Sequence, residues 1–340
     1  MERPVLVIGP GALGALLAAR LAHAGRPVMV ACRSEATAEA LRSRGVEATA
    51  LTGQTVRARL EVVRRPKDLR ELPALAVLAT KCSQAAAALS AWAPRLPEEC
   101  PVVAVQNGVL GDELAPLAEG RLMEATVGFP ATLVAPGRSV QTGPGRIYLG
   151  PWPQASPRDD AKRYRAVAEI LAAAAPVQAS PNMRGVKWTK LLINSFISTV
   201  GAATGRNLGE LLAEPRARAV FLDVVTEGRR AGLADGVRFE PVEGFRPGLF
   251  DRGRRFPGGA ARRLLLAVVA RRYRRQRSSS LQSLERGEPS EVDFLNGQIV
   301  RTARRHGLEA PVNQALVDTM HAIEAGALRP DVANLDRLRA

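Results

Sequence analysis

The sequence predicts an α/β protein in which a Rossmann-type, doubly wound parallel sheet domain is followed by a mainly α-helical domain. Apolar β-branched runs without alternation, such as residues 4–9, are typical of parallel strands buried on both faces. Ala- and Leu-rich helical segments separate these runs, which favours a parallel sheet. After residues 176–181 strand patterns largely end, and helical patterns continue to about residue 327.

A length of 340 residues exceeds the usual size of one hydrophobic core. We therefore expect two domains, with the boundary where the strand patterns end. The first, residues 1–180, is predicted to be an NADP-binding Rossmann-like domain. The second, residues 181–330, is predicted to be a helical substrate-binding and catalytic domain.

The first half of the chain alternates regularly between strand and helix patterns. Strands are predicted at residues 4–9, 28–31, 75–80 and 102–106, and helices at 11–24 and 83–92. Residues 123–150 are rich in Thr and Val and are broken by Pro136-Gly137 and Gly143-Pro144-Gly145, so we expect hairpins that extend the sheet. A helix should follow at 157–175.

The composition is that of a soluble folded protein, with 46% hydrophobic and 24% charged residues. The start of the chain lacks the pattern of a signal peptide, and the apolar run at 264–270 is too short to span a bilayer. We therefore expect a cytoplasmic protein without membrane insertion. Cys32, Cys82 and Cys100 have no zinc or disulfide spacing, so no metal site is expected.

The formal charge of +15 would attract anions of several kinds. Residues 252–277 contain ten arginines and no acid. No nucleic-acid motif accompanies them, so a solvated helix face is expected and nucleic acid is not. Nucleic-acid binding, or a positive potential around an acidic substrate, remains the alternative.

The segment Gly9-Pro10-Gly11-Ala12-Leu13-Gly14 matches the dinucleotide fingerprint G-x-G-x-x-G between a strand and a helix. Gly9 would make the tight turn, Gly11 would let the diphosphate approach, and Gly14 would allow close packing of helix on strand. The free N–H groups at the helix start, around Ala12 and Leu13, would face the diphosphate.

The end of the second strand reads Ala31-Cys32-Arg33, where NAD-selecting enzymes usually carry Asp or Glu. Arginine suits a 2′-phosphate, because it can form paired charge-assisted hydrogen bonds with it. NADPH/NADP⁺ is therefore the predicted cofactor. Glu35 lies close in sequence, so NADH remains an alternative cofactor. The other alternative is that Arg33 is an ordinary surface residue.

Residues 186–201 predict an apolar helix with one polar stripe, formed by Lys190, Asn194 and Ser198. Such a stripe is typical of the wall of a cleft, although a surface lysine would also fit. The histidines, His23, His306 and His321, lie in ordinary helix patterns without an obvious partner, so the proton donor is sought elsewhere.

Over nearly its whole length the chain resembles the ketopantoate reductase (2-dehydropantoate 2-reductase) family. Besides the glycine fingerprint, the motifs that carry the resemblance appear in order: Thr80-Lys81-Cys82-Ser83-Gln84, Gln106-Asn107-Gly108, Trp188-Thr189-Lys190 with Asn194, Asn207-Leu208-Gly209-Glu210-Leu211, and Ser279 with Glu291 and Asn296-Gly297. Their order and spacing together are more specific than any one of them.

The resemblance implies that NADPH and a 2-oxo acid meet in the cleft between the two domains. The reaction would be reduction of 2-dehydropantoate to (R)-pantoate in pantothenate biosynthesis, which supplies coenzyme A. Lys190 would be the general acid, and Glu291 its carboxylate counterpart at the substrate hydroxyl. The remaining site residues divide into cofactor and substrate groups: Lys81, Gln84 and Asn107 for the cofactor, and Asn194, Ser198, Asn207 and Ser279 for the substrate.

Several positions depart from the family pattern on the substrate side. Ser198 stands where asparagine is frequent, Ser280 where methionine is frequent and Ser283 where aspartate is frequent, and the loop at Val109-Leu110 is one residue longer than usual. The alternatives are therefore reduction of another 2-oxo or 3-oxo acid, or a non-catalytic NADPH- or nucleic-acid-binding protein. A homodimer is compatible with the sequence, which leaves the oligomeric state open.

Overall fold

The structure, a computed structural model, describes residues 2–152, 161–250 and 278–338. Its internal contacts divide the chain into two compact units. The first contains residues 1–106 and 110–183, and the second contains residues 107–109 and 184–340.

The first unit is built on an eight-stranded sheet. The strands of this unit are β1 (Val5–Ile8), β2 (Val28–Ala31), β3 (Val46–Thr49), β4 (Thr55–Ala58), β5 (Glu61–Val63), β6 (Leu75–Leu78), β7 (Val102–Ala104), β8 (Leu122–Val127), β9 (Ala131–Ala135), β10 (Arg138–Gln141), β11 (Ile147–Pro151) and β12 (Val177–Ala179). Its helices are α1 (Ala12–His23), α2 (Glu35–Arg44), α3 (Cys82–Trp92), α4 (Gly111–Ala118) and α5 (Ala161–Ala172).

The order of the large sheet is β12-β11-β8-β7-β6-β1-β2-β5, and the strands from β8 to β5 are parallel. Every residue of β1, β2 and β6 is buried, as expected for strands covered on both faces. The order of the strands reverses between β1 and β6, and ligands of open α/β sheets bind at such a switch point. The predicted Rossmann-type fold is confirmed.

The predicted hairpins of residues 123–150 are only partly right. Strands β8 and β11 do pair antiparallel and extend the large sheet. The β9–β10 hairpin instead joins β3 and β4 in a separate four-stranded sheet, ordered β4-β3-β10-β9, which packs against α1. Strand β10 pairs with β3 rather than with the large sheet, and the Ser139 hydroxyl donates to the carbonyl oxygen of Ala12 at 2.6 Å.

The second unit is helical in the part that the structure describes. Its helices are α6 (Met183–Thr204), α7 (Leu208–Ala213), α8 (Pro215–Ala234), α9 (Ser279–Glu285), α10 (Asn296–Arg305) and α11 (Pro311–Glu324). Helix α6 lies in the core: Trp188, Leu191, Leu192, Phe196 and Val200 are at most 1% exposed. The predicted helix at 186–201 and its apolar packing are confirmed.

A buried polar network fixes α6 to α8, α10 and α11. Asn296 accepts a hydrogen bond from the Thr199 hydroxyl at 2.6 Å and donates to the carbonyl oxygen of Ser195 at 3.1 Å. It also donates to Asn313 at 2.9 Å, which in turn donates to the Glu227 carboxylate at 2.7 Å. Burial raises the pKa of Glu227, while hydrogen bonds from Asn313 and Val312 act in the opposite direction.

Two further features bear on the expectations from composition. Among the described residues, no helix combines the length and apolar character needed to cross a bilayer. Cys32, Cys82 and Cys100 are buried and form no disulfide bonds. The arginine-rich residues 252–277 lie outside the described part of the chain.

Candidate active site

The turn between β1 and α1 has the geometry that the glycine fingerprint predicts. Gly9 has φ +100°, a conformation that L side chains rarely adopt, and a Cβ on Gly14 would clash with the Gly9 carbonyl oxygen. Gly11 is different, because a Cβ there would approach nothing nearer than the Ala79 oxygen at 3.9 Å. Folding therefore requires Gly9 and Gly14, whereas the space beside Gly11 fits the approach of a diphosphate.

The other predicted cofactor residues follow neighbouring strands at the same edge of the sheet. Arg33 comes after β2, and its side chain is exposed. Lys81 and Gln84 come after β6, where Lys81 precedes the first turn of α3 and Gln84 lies in it. The Thr80 hydroxyl oxygen beside them is buried and has no hydrogen-bond partner among the described residues. A buried polar atom of this kind is what a bound ligand would satisfy.

Glu35, the acid whose position left NADH as an alternative cofactor, is paired with arginines. It begins α2, and its carboxylate forms ion pairs with Arg42 at 3.1 Å and with Arg64. The carboxylate is therefore already neutralised by two guanidinium groups.

Lys190 is a cation whose pKa is strongly shifted by its surroundings. Burial lowers its pKa from 10.5 to about 8, and the negative charge of Glu243 partly opposes that shift. Its near neighbours on the polar stripe, Asn194 and Ser198, are buried at 7% and 5% exposure. A lysine with a pKa near neutral can donate a proton at working pH.

The stripe is held by contacts from other segments of the same unit. The Asn194 amide donates to the Asn107 side-chain oxygen at 2.9 Å. The hydroxyls of Ser198 and Ser279 lie 3.2 Å apart, and the Ser278 hydroxyl donates to the Ser198 carbonyl oxygen. Four predicted residues, Asn107, Asn194, Ser198 and Ser279, are thus joined in two hydrogen-bonded pairs.

Asn207 has a local structural task. Its side-chain oxygen accepts from the Glu210 N–H at 3.0 Å, and the Glu210 carboxylate accepts from the Asn207 N–H at 2.9 Å. This capping box begins α7 and leaves the Asn207 side-chain NH₂ as a donor. Glu291 lies half-buried just before the 3₁₀ turn Val292–Phe294, and its part in catalysis stays a prediction.

Glu243, which the sequence did not single out, acts on the charge of Lys190 from an unusual turn. It and Gly244 have φ of 49° and 82°, the pattern of a type I′ turn, closed by hydrogen bonds in both directions between Val242 and Phe245. Asn, Asp or Gly is expected at the first central position. Phe245 anchors the turn by stacking on Phe250, with ring centroids 4.9 Å apart. The structure therefore keeps a glutamate on a strained backbone where its charge acts on Lys190.

Two histidines for which the sequence shows no obvious partner each have one. His306 lies 2.9 Å from an Asp235 oxygen, and His321 lies 3.1 Å from an Asp293 oxygen. Asp235 and Asp293 are distant in sequence from these histidines, so helix patterns could not show the pairs. Within the described ranges, no cluster of three or more His, Cys, Asp or Glu side chains could hold a metal ion.

Comparison with known protein families agrees with the two-unit architecture. A family model described as ketopantoate reductase PanE/ApbA matches residues 5–154. The corresponding C-terminal model, ketopantoate reductase PanE/ApbA C terminal, matches residues 182–324. The chain belongs to the ketopantoate reductase family. It is accordingly an oxidoreductase that acts on CH–OH groups with a pyridine nucleotide, as the sequence predicts.

Relatives within the ketopantoate reductase family match nearly end to end. The 2-dehydropantoate 2-reductase of Pyrococcus horikoshii is 26% identical over 332 residues, which cover 95% of this chain and 99% of the relative. A crystal structure of a PanE/ApbA family ketopantoate reductase from Ralstonia eutropha JMP134 has a TM-score of 0.78 at 28% identity, covering 95% and 99% of the two chains. A D-mandelate dehydrogenase solved with NADH and anilino(oxo)acetate has a TM-score of 0.80 at 18% identity, and therefore shows the shared fold alone.

Proposed function

We propose that this member of the ketopantoate reductase family reduces 2-dehydropantoate to (R)-pantoate with NADPH, the reductive step of pantothenate biosynthesis, and that Lys190 is the general acid. The observation that carries the proposal is the Lys190 ammonium group, whose pKa is lowered to about 8. The half-buried side chain of Lys190 lies on one stripe with the buried Asn194 and Ser198. The names of full-length relatives support this choice of substrate.

The first unit would hold the cofactor, which supplies a hydride when it is bound. The open space beside Gly11 and the N–H groups at the start of α1 fit the diphosphate. The exposed Arg33 guanidinium fits a 2′-phosphate, and Lys81 and Gln84 add polar groups at the same edge of the sheet. These contacts favour NADPH over NADH, whose ribose lacks the phosphate.

The second unit would stabilise the substrate oxygen and protonate it. As hydride reaches C2 of a 2-oxo acid, the carbonyl oxygen gains negative charge. The Lys190 ammonium would stabilise that charge and then donate its proton, which turns the oxygen into a hydroxyl. Glu291 would accept a hydrogen bond from this hydroxyl.

The remaining polar groups would orient the substrate. Asn194 is held by Asn107, so its amide is fixed relative to Lys190 four residues earlier on α6. The Ser198–Ser279 hydroxyl pair and the free NH₂ of Asn207 would contact the rest of the substrate. Holding several donors rigidly lowers the entropic cost of reaching the reactive geometry.

Reduction of a different 2-oxo or 3-oxo acid is the second candidate. The specific observation in its favour is that two short hydroxyl side chains, Ser198 and Ser279, pair with each other at 3.2 Å. Serine is smaller than the asparagine frequent at the Ser198 position, so a substrate with a bulkier substituent would be better accommodated. The proton donor and the cofactor would be the same.

A panel of 2-oxo and 3-oxo acids at equal concentrations, each measured with NADPH and with NADH, tests the proposal. We expect 2-dehydropantoate with NADPH to give the highest kcat/KM. A higher value for another acid would select the second candidate. Absence of turnover with every acid would contradict both.

A further inference from the structure

A second arginine lies at the edge of the sheet where Arg33 is expected to bind the cofactor. Strands β2 and β5 are parallel neighbours, with Ala31 opposite Val63, so the residues that follow them emerge side by side. The Arg64 guanidinium donates to the carbonyl oxygen of Arg33 at 3.1 Å. The Arg64 guanidinium is therefore fixed against the backbone of Arg33, although the two residues are 31 positions apart in the chain.

Glu35 holds this second arginine in place. Its carboxylate contacts Arg64 on one side and Arg42, two turns further along α2, on the other. The buried thiol of Cys32 lies among the same charges: burial raises its pKa, Arg42 and Arg64 lower it, and Glu35 raises it. The four side chains therefore share one small region at the end of β2.

The arginines retain unused hydrogen-bonding capacity. Arg64 uses one N–H for Glu35 and one for the Arg33 carbonyl, and its Nε is buried without a hydrogen-bond partner in the described part of the chain. A guanidinium has five N–H donors, so three remain. The groove in front of Arg64 has a volume of about 610 Å³ and is also lined by Arg42, Arg65 and Arg70.

The charges in this region match a phosphate monoester. The groove is lined by four arginines, Arg42, Arg64, Arg65 and Arg70, and by three acids, Glu35, Glu61 and Asp68, a net charge of +1. The exposed Arg33 beside it raises the net charge of the region to +2. A phosphate monoester carries a charge between about −1.5 and −2 at pH 7. Arginine is well suited to phosphate because its planar fork can donate two parallel hydrogen bonds.

We propose that Arg64 is a second specificity-determining residue for the cofactor's 2′-phosphate, and that Glu35 orients Arg64 and Arg42 instead of accepting a hydrogen bond from the ribose. This inference rests on the proposed use of NADPH. It gives a role in cofactor choice to a residue at the end of β5. This residue lies outside both the glycine fingerprint and the end of β2. Glu35 then favours NADPH, although an acid near this position ordinarily favours NADH.

The test is to measure the Kd of NADPH and of NADH for the full-length wild-type protein and four variants. Arg64→Gln should raise the Kd of NADPH about tenfold, the loss of one charge-assisted contact, and change that of NADH less than twofold. Arg64→Lys keeps the charge without the fork and should give an intermediate Kd for NADPH. Arg65→Gln is the matched control: Arg65 lines the same groove but pairs with Asp68 at 3.3 Å, and both Kd values should stay within twofold.

Glu35→Gln separates the two roles of the carboxylate. We expect unchanged NADH binding and weaker NADPH binding, because Arg64 and Arg42 lose the carboxylate that orients them. NADPH binding as tight as in the wild type would overturn the orienting role of Glu35. Weaker NADH binding would overturn the assignment of Glu35. Equal weakening of both cofactors by Arg64→Gln, or no weakening of NADPH, would overturn the assignment of Arg64.

The failure of this inference is distinguishable from that of the proposed function. If the wild-type protein binds NADH as tightly as NADPH, the proposed cofactor choice fails and the inference fails with it. If the wild-type protein prefers NADPH and Arg64→Gln retains the full preference, the inference alone fails. The melting temperature of each variant, measured without cofactor, shows whether the variant is folded. If Arg64→Gln is misfolded, the Kd of NADPH for Arg64→Lys decides whether Arg64 contributes to the preference for NADPH.

Discussion

The Asn194 side chain donates a hydrogen bond to the Asn107 side-chain oxygen at 2.9 Å, which joins the segment after β7 to the helix that carries Lys190. The two residues are 87 positions apart in the chain. Asn107 was expected on the cofactor side and Asn194 on the substrate side. Their contact predicts that Asn107 also positions the Asn194 side chain.

Asn107→Ala should therefore impair the substrate step. Without its acceptor the Asn194 amide is free to rotate, and kcat/KM for the oxo acid should fall about 10- to 100-fold, the effect of misplacing an orienting group. Steady-state kinetics with saturating NADPH measures this change. Gln54→Ala, a change at an exposed residue with no proposed role, should leave kcat/KM near the wild-type value. An Asn107→Ala enzyme with normal kcat/KM would contradict the positioning role.

The glycines of the fingerprint should separate folding from cofactor binding. Gly14→Ala places a methyl group against the Gly9 carbonyl oxygen and should destabilise the protein by about 2–3 kcal/mol, a typical overpacking cost. Gly11→Ala meets no protein atom closer than 3.9 Å, so stability should be retained while NADPH affinity falls more than tenfold. Thermal unfolding and fluorescence titration measure the two effects. Full NADPH affinity in Gly11→Ala would show that the diphosphate binds elsewhere.

The pKa of Lys190 gives a pH dependence with a definite sign. Reduction needs the protonated ammonium group, so kcat/KM should be high below pH 8 and fall as pH rises through about 8. Glu243 raises that pKa, so Glu243→Gln should lower it further and move the falling limb of the profile to lower pH. The exposed change Glu309→Gln is the control and should leave the limb in place.

Glu243→Asn separates this charge effect from the strain of the turn. Asparagine suits the positive φ at this position, so the melting temperature should rise or remain equal. The falling limb should nevertheless move to lower pH as it does in Glu243→Gln. A limb that stays near pH 8 in both variants would contradict the role of Glu243.

The buried network around Asn296 should contribute strongly to stability. Asn296→Ala leaves the Thr199 hydroxyl and the Ser195 carbonyl oxygen without their partner, at a cost of about 2–4 kcal/mol in the free energy of unfolding. Arg301→Ala, on the exposed side of the same helix, should change it by less than about 0.5 kcal/mol. Urea unfolding measures both, and equal effects would argue against the network.

The sequence allowed prediction where the signal is local. The turn at Gly9–Gly14 and the stripe of Lys190, Asn194 and Ser198 each follow from spacing within one element. Strands β3 and β4 are four residues long and only partly buried, so their pattern was too short to detect. Glu243 could not be found, because its turn disfavours glutamate and its distance to Lys190 along the chain is 53 residues.

On the substrate side, the contact of Ser198, a residue that departs from the family pattern, depends on the tertiary fold. Ser198 and Ser279 are 81 residues apart and meet because α9 lies beside α6. Their pairing is a property of tertiary structure, so a sequence pattern can name each residue but cannot reveal the hydroxyl pair. The cofactor side is simpler, since Gly9, Arg33 and Lys81 follow adjacent strands.

The most direct test of the central claim is the turnover of Lys190→Ala, measured as NADPH oxidation with 2-dehydropantoate together with the Kd of NADPH. The exposed lysine change Lys162→Ala is the matched control. We expect Lys190→Ala to lose at least about 100-fold in kcat, the usual contribution of a general acid, while NADPH binds as in the wild type. Wild-type turnover in Lys190→Ala would remove Lys190 from the mechanism and contradict the account.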